Sequence, residues 1–224
     1  VDVGTGVRVT EGLTDLRTMT IPLNRVQALE VIQPIWWRPL GWWRVRVNVA
    51  GVGSSGSGDG EGERETTLLP VGTLDDALRV LTLLAPRVPA SRWNDAVLGE
   101  GPQRGWQTSS ARAKLFDPLS WRRNGWSDTD GAVLLRSGRL TRRAIAVPHA
   151  RIQSLTLQQG WLQASRRVAT LHVIPAPGPI SPVIDHPDSE AAPDAFDRPN
   201  GRARGARRGA GPIDPPLAPD PAGL

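Results

Sequence analysis

Apolar and polar residues alternate with a period of two through much of the chain, the pattern of strands that bury one face and wet the other. The stretch WWRVRVNVAG is the clearest case, with Trp43, Val45, Val47 and Val49 on one side and Arg44, Arg46 and Asn48 on the other. Just before it, RVQALEVIQ sets Val26, Ala28 and Glu30 against Gln27, Leu29 and Val31. GVRVTEGLTDLRTMTIPL predicts two short strands about a turn at Gly12, and TTLLPV predicts another. A sustained helical period occurs once, at Leu74, Leu78, Leu81 and Leu84. Thr73 suits the N-cap of that helix, Asp75 and Asp76 complement its dipole, and Pro86 stops it.

The same pattern then returns. Residues 6–50 align without a gap on residues 132–176 at a constant offset of 126 positions. Val7, Gly12, Arg17, Pro22, Arg25, Gln27, Leu29, Gln33 and Val47 recur as Val133, Gly138, Arg143, Pro148, Arg151, Gln153, Leu155, Gln159 and Val173. Two copies of one domain are expected, and a period this long is not that of a solenoid or propeller. The expected organisation is a first domain over 1–87, a linker over 88–111 where breakers are frequent and no period is sustained, a second domain over 112–197, and a disordered tail over 198–224. The closing helix of the second copy is expected to be short, beginning near Asp188 and interrupted by Pro193.

Composition narrows the chemistry. The 224 residues include no cysteine, so disulfides, thiol catalysis and thiolate metal sites are excluded. His149, His172 and His186 have no ligand spacing, so no metal is expected. The net charge is +5 and nearly all the cations are arginine, in a sequence also rich in Ala, Gly and Pro, which reads first as a compositional bias. The tail from Asp185 onward holds seven acidic residues against five arginines, so the excess positive charge belongs to the folded part. The first residue is Val and no signal-peptide succession follows, so the sequence reads as an excised piece. No apolar run approaches the roughly 20 residues needed to span a bilayer, and the piece is expected to be soluble.

Candidate catalytic chemistry is sparse. GVGSSG, Gly51 to Gly56, matches a phosphate-binding fingerprint with Asp75 downstream, but it continues as SGDGEGERE, Gly-rich and anionic where a helix N-terminus is required. No nucleophile elbow, P-loop, HExxH or convergent carboxylate pair occurs, so no catalytic residue and no cofactor are expected and the chain is read as a non-enzyme. The densest surface chemistry is IWWRPLGWWRVR, Ile35 to Arg46, with four Trp and three Arg. Trp36, Trp37, Arg38, Trp42 and Arg44 are the candidate binding residues, joined by Arg166 and Arg167 from the second copy; Trp with Arg suits a membrane interface, a headgroup pocket or base stacking. The competing reading plugs the end of a barrel with the tryptophans. Arg25 with Gln27, and Arg151 with Gln153, read as structural pairs that bond a turn or a neighbouring strand.

The repeated IPxxRVQxL…Q…LGWWRVRVxVAG, together with DPLSWRRNGWSDTDGAVLLRSGRLTRRAIAVPHARIQSL, resembles the bacterial pleckstrin-homology (PH) domains of the YdbS- and YdbT-like membrane proteins. The likeness covers residues 5–86 and 112–190. It implies a mainly β fold with some α: two tandem PH-like antiparallel β-barrels or sandwiches, each capped by a C-terminal helix. It further implies the last two domains of a longer chain whose upstream transmembrane helices hold them at the cell membrane, on the cytoplasmic side. The second copy departs from the pattern at QASRR, which lacks the glycine expected before the strand. The function expected is a non-catalytic, membrane-associated interaction module that binds protein partners or anionic lipid headgroups, with self-association as a further mode. The alternative is nucleic-acid binding through the basic surface and the Arg-rich tail.

Overall fold

The computed structural model describes residues 6–11, 17–49, 66–102, 105–109, 111–175 and 180–188. Strands β1 (Gly6–Glu11), β2 (Arg17–Pro22), β3 (Val26–Gln33), β4 (Trp43–Val49) and β5 (Thr66–Gly72) form the first copy, closed by helix α1 (Leu74–Leu84). Helix α2 (Ala90–Leu98) and the short strand β6 (Gln107–Thr108) follow. The second copy contains β7 (Gly125–Asp128), β8 (Ala132–Ser137), β9 (Arg142–Pro148), β10 (Ser154–Gln158), helix α3 (Trp161–Ser165), β11 (Val168–Ile174) and β12 (Val183–Asp188). No helix among these residues is long and apolar enough to cross a membrane.

All described strand pairs are antiparallel. They form sandwich-like open sheets, and the barrel alternative is replaced by an arrangement in which the two copies share a sheet. Seven strands lie side by side in the order β5-β4-β3-β9-β8-β7-β6. Its left half is the second sheet of copy one and its right half the first sheet of copy two, joined by β3 against β9. There Leu29 opposes Ala146, Val31 opposes Ala144 and Gln33 opposes Arg142. The hairpin β1-β2 and the sheet β10-β11-β12 remain separate.

Period-two alternation gives the seven-stranded sheet two dry faces. One packs Leu29, Val31, Trp43, Val45, Val47, Leu134 and Ala146 against Ala77 and Leu81 of α1 and Trp93 and Val97 of α2. The other packs Ala28, Val133, Leu135, Ile145 and Val147 against Leu171, Val173 and Ile184 of the three-stranded sheet. A helix layer, a central sheet and a smaller sheet result. Within β3 the predicted alternation is interrupted, because the pairing with β4 slips between Val26 and Ala28. That bulge turns Val26 to the side of Leu29 and Val31, where it joins the helix-side core, and leaves Glu30 on the opposite face.

Helix α1 starts as the sequence predicts. The Asp76 amide donates to the Thr73 hydroxyl at 3.3 Å, and the Asp76 carboxylate accepts from the Thr73 amide at 3.0 Å, a reciprocal capping box. The segment read as a linker is not a bare spacer. Its Trp93, Ala96 and Val97 repeat at helical spacing and are fully buried against β8 and β9. Two buried arginines of the second copy fasten the end of this helix: Arg123 donates to the carbonyls of Val97 at 2.6 Å, Gly99 at 3.0 Å and Ala96 at 3.2 Å. Arg136 donates to Asp95 O at 3.2 Å and lies 4.3 Å from the centre of the Trp106 ring. Helix C-termini attract cations because their last carbonyls lack partners. Burial, then the nearby Arg142 and Arg136, pull the Arg123 guanidinium down to about 9, so it remains charged at neutral pH. The expected closing helix after Asp188, the tail and the GVGSSG loop lie outside the described residues.

Candidate interaction surface

Pro34 ends β3, and the chain then makes a 3-10 turn over Ile35–Trp37 before re-entering the sheet as β4. The reversal requires a left-handed residue, supplied by Gly41 at φ +66° with nothing within 4 Å of where a Cβ would stand. The amide of Trp42 donates to Trp37 O at 3.1 Å and closes the loop. Gln33 holds it from inside, donating to Trp42 O at 3.3 Å and accepting from Arg142 Nη1 at 3.3 Å.

This geometry sorts the candidate residues. Trp37 and Trp42 meet edge to face with ring centres 6.2 Å apart, and the Arg44 guanidinium lies 5.0 Å from the Trp37 ring centre. Arg44 also donates through Nε to Pro70 O at 3.2 Å. Arg38 donates to the carbonyls of Arg139 and Leu140, on the turn between β8 and β9. Each of these two arginines therefore has an acceptor inside the chain. The half-buried Trp37 is a scaffold for the loop, whereas Trp36 is 71% exposed and Ile35, Leu40 and Trp42 are exposed beside it. Leu140, also exposed, joins from the second copy through the Arg38 contact. Burial first, and then Arg142 and Arg139, pull the Arg38 guanidinium below its ordinary value, against an opposing effect of Glu100. The apolar knob thus stands beside crowded positive charge.

Arg166 and Arg167 are not gathered to this cluster; they lie on the corresponding connection of copy two, between α3 and β11. Trp161 there is 85% exposed and Leu162 is exposed next to it. The Gly160 amide donates to Gln163 Oε1 at 2.8 Å, and Gln163 Nε2 donates to Thr170 Oγ1 at 3.0 Å, which fixes the turn. Arg167 stands where copy one has Gly41 and takes the same left-handed conformation, φ 54°. The missing glycine noted in the sequence therefore leaves the loop's shape in place, at the cost of a side chain in a region that disfavours one.

Of the repeated polar residues, Gln27 and Arg151 bond backbone within the fold. Gln27 Nε2 donates to Arg25 O at 3.1 Å, and Arg151 donates to Asn24 O, tying the two corresponding turns together. Asn48 joins the copies on the other face of the sheet, accepting from the Ile180 amide at 3.3 Å and donating to its carbonyl at 3.5 Å. Among the described residues no three His, Cys, Asp or Glu side chains gather as a metal site would require. A depression of about 260 Å³ along β10, β11 and the segment entering β12 has His172 as its only titratable lining residue. Leu40 and Leu140 sit in turns and carry no periodic signal, so alternation in the sequence does not mark them.

No curated protein matches the chain. The family model described as the bacterial PH domain matches it twice, over residues 3–88 and 110–201. Those two spans cover most of the sequence and contain the two strand-rich copies that share the central sheet, so the chain belongs to the bacterial PH domain family.

Proposed function

We propose that this chain is a non-catalytic, membrane-associated interaction module that docks on an anionic lipid surface, at the cytoplasmic face of the cell membrane. Family membership supports the module reading, because PH domains are in general non-catalytic interaction domains that bind proteins or lipids. The observation that carries the lipid reading is the exposed knob of Trp36, Leu40 and Trp42, continued by Leu140 and flanked by Arg38, Arg139 and Arg142. Aromatic and aliphatic side chains partition into the headgroup boundary while neighbouring arginines attract phosphate. The exposed Trp161 and Leu162, with Arg166 and Arg167, offer a second contact of the same chemistry. Arg38 and Arg44 bond neutral carbonyls within the chain and keep their charge, so insertion rests on Trp36, Leu40 and Trp42, and the long-range attraction on Arg38, Arg44, Arg139 and Arg142 beside them.

Vesicle flotation tests this. Binding is expected to rise as phosphatidylglycerol replaces phosphatidylcholine and to fall as salt shortens the Debye length from about 10 Å at 0.1 M. Trp36→Ser with Leu40→Ser, on an exposed loop, is expected to abolish flotation without unfolding the chain. Flotation that is absent, or indifferent to lipid charge and salt, would falsify the reading.

A further inference from the structure

The β3–β9 seam is a strand-pairing interface between repeats, and the chain carries both of its halves a second time. By the offset of 126 positions, β10 is the counterpart of β3, and β2 the counterpart of β9. β3 is paired on both edges, by β4 and β9, whereas among the described residues β10 is paired by β11 alone. β9 is paired by β8 and β3, whereas among the described residues β2 is paired by β1 alone. Among the described residues each chain thus presents one unpaired edge of the acceptor type and one of the donor type.

We propose that β10 accepts the β1-β2 hairpin of a second copy of this chain, so that copies join head to tail in the pairing already used inside the molecule. This inference rests on the backbone pairing and stands apart from the lipid reading. The acceptor edge is unprotected: Ser-Leu-Thr-Leu-Gln, residues 154–158, contains neither proline nor charge, the usual means by which proteins block an exposed strand. Its Leu157 is exposed where the matching seam residue is not, while Leu155 packs partly against the core beneath. Val31 is 0% exposed in the seam, and its counterpart Leu157 is 40% exposed. The seam's own register, transposed, places Leu155 opposite Thr20, Thr156 opposite Met19, Leu157 opposite Thr18 and Gln158 opposite Arg17. Arg17 occupies the place of Arg143, while Thr156 replaces Glu30, so the intermolecular joint lacks the seam's buried acid and is expected to be the weaker and reversible one. Because the two edges differ, the contact is heterologous and adds copies into an open chain or a ring.

The absence of cysteine permits a direct test on the full chain. Four single variants are made, Met19→Cys, Thr18→Cys, Thr156→Cys and Leu157→Cys, and mixed under mild oxidation as 19 with 156 and 18 with 157. Opposed pairs alternate between wide and close spacing, so one of the two mixtures must present the closer kind. At least one mixture is expected to give a disulfide-linked dimer, with single variants oxidised alone giving much less. Light scattering on the unmodified chain is expected to show a mass that rises with concentration. Three outcomes would overturn the proposal: no cross-link in either mixture of variants that keep the unmodified circular dichroism spectrum, equal cross-linking when Thr10→Cys on β1 replaces the β2 variants, or a mass that stays that of one chain.

Discussion

Glu30 provides the sharpest test of how the two copies are held in register. It lies on the seam strand β3, 1% exposed, and accepts at Oε2 from Arg46 Nε at 2.8 Å and from Arg46 Nη2. Its other oxygen, Oε1, meets Arg143 Nε of the second copy at 2.8 Å. Replacing Glu30 by Gln keeps the shape, but removes the charge and turns an amide NH2 toward one of the two guanidinium groups. A hydrogen bond to a charged group contributes about 1.5–3 kcal/mol net, and a buried donor left unpaired costs about 1–3 kcal/mol. Arg46 is largely buried, so its share is about 2–3 kcal/mol. Arg143 is 42% exposed and can turn to water, which limits its share to about 0.5 kcal/mol. The expected loss is therefore about 3 kcal/mol, measured by urea denaturation at neutral pH. Amide exchange should accelerate at Ala28–Gln33 and Arg142–Ala146 more than in β10–β12, and a double-mutant cycle with Arg143→Gln should show a coupling below about 1 kcal/mol. A loss under about 1 kcal/mol for Glu30→Gln, or a uniform rise in exchange, would refute the assignment of this cluster to register at the seam.

Two further outcomes follow from local backbone and cap geometry. Arg167→Gly removes a side chain from a left-handed position, φ 54°, and should raise stability by about 0.5–1 kcal/mol after the added freedom of glycine in the unfolded chain is counted; a fall in melting temperature would show that the arginine side chain outweighs the backbone strain. Thr73→Ala breaks the α1 capping box and should cost about 1 kcal/mol at neutral pH. The hydroxyl and amide of Thr73 hold the Asp76 carboxyl below its ordinary value, so its contribution is complete above that value and is lost as pH falls through the lowered folded one. The gap between Thr73→Ala and the parent chain should narrow in acid, and a gap that is constant with pH would remove Asp76 from the cap.

Much of the candidate surface was legible in the sequence, but its internal division was not. A run of four tryptophans and three arginines marks a place of interest by composition alone. Which of them face water depends on the 3-10 turn after Pro34 and on what the neighbouring strands offer. Trp37 is folded under Trp42 and Arg44, and Arg38 finds carbonyls on a turn about a hundred residues away, in the other copy. Helix α2 is hidden in the sequence for a different reason. Trp93, Ala96 and Val97 have helical spacing, but nine residues between Pro89 and Gly99 make too short a run to stand out from a segment full of breakers.

From the chain alone came the duplication, the strand-rich copies, the capped helix at Thr73 and the absence of catalytic motifs, because each depends on residues near one another in sequence or on a constant offset. Alternation tells a strand which side to bury; it does not say which strand will lie beside it. Backbone hydrogen bonds are the same at every edge, so the union of β3 with β9 was decided by nonlocal contacts: Glu30 between Arg46 and Arg143, Asn48 against Ile180, and α1 and α2 laid side by side over one sheet. Those contacts made two similar sequences into one three-layer body and, among the described residues, left β10 and β2 without the partners that their counterparts share.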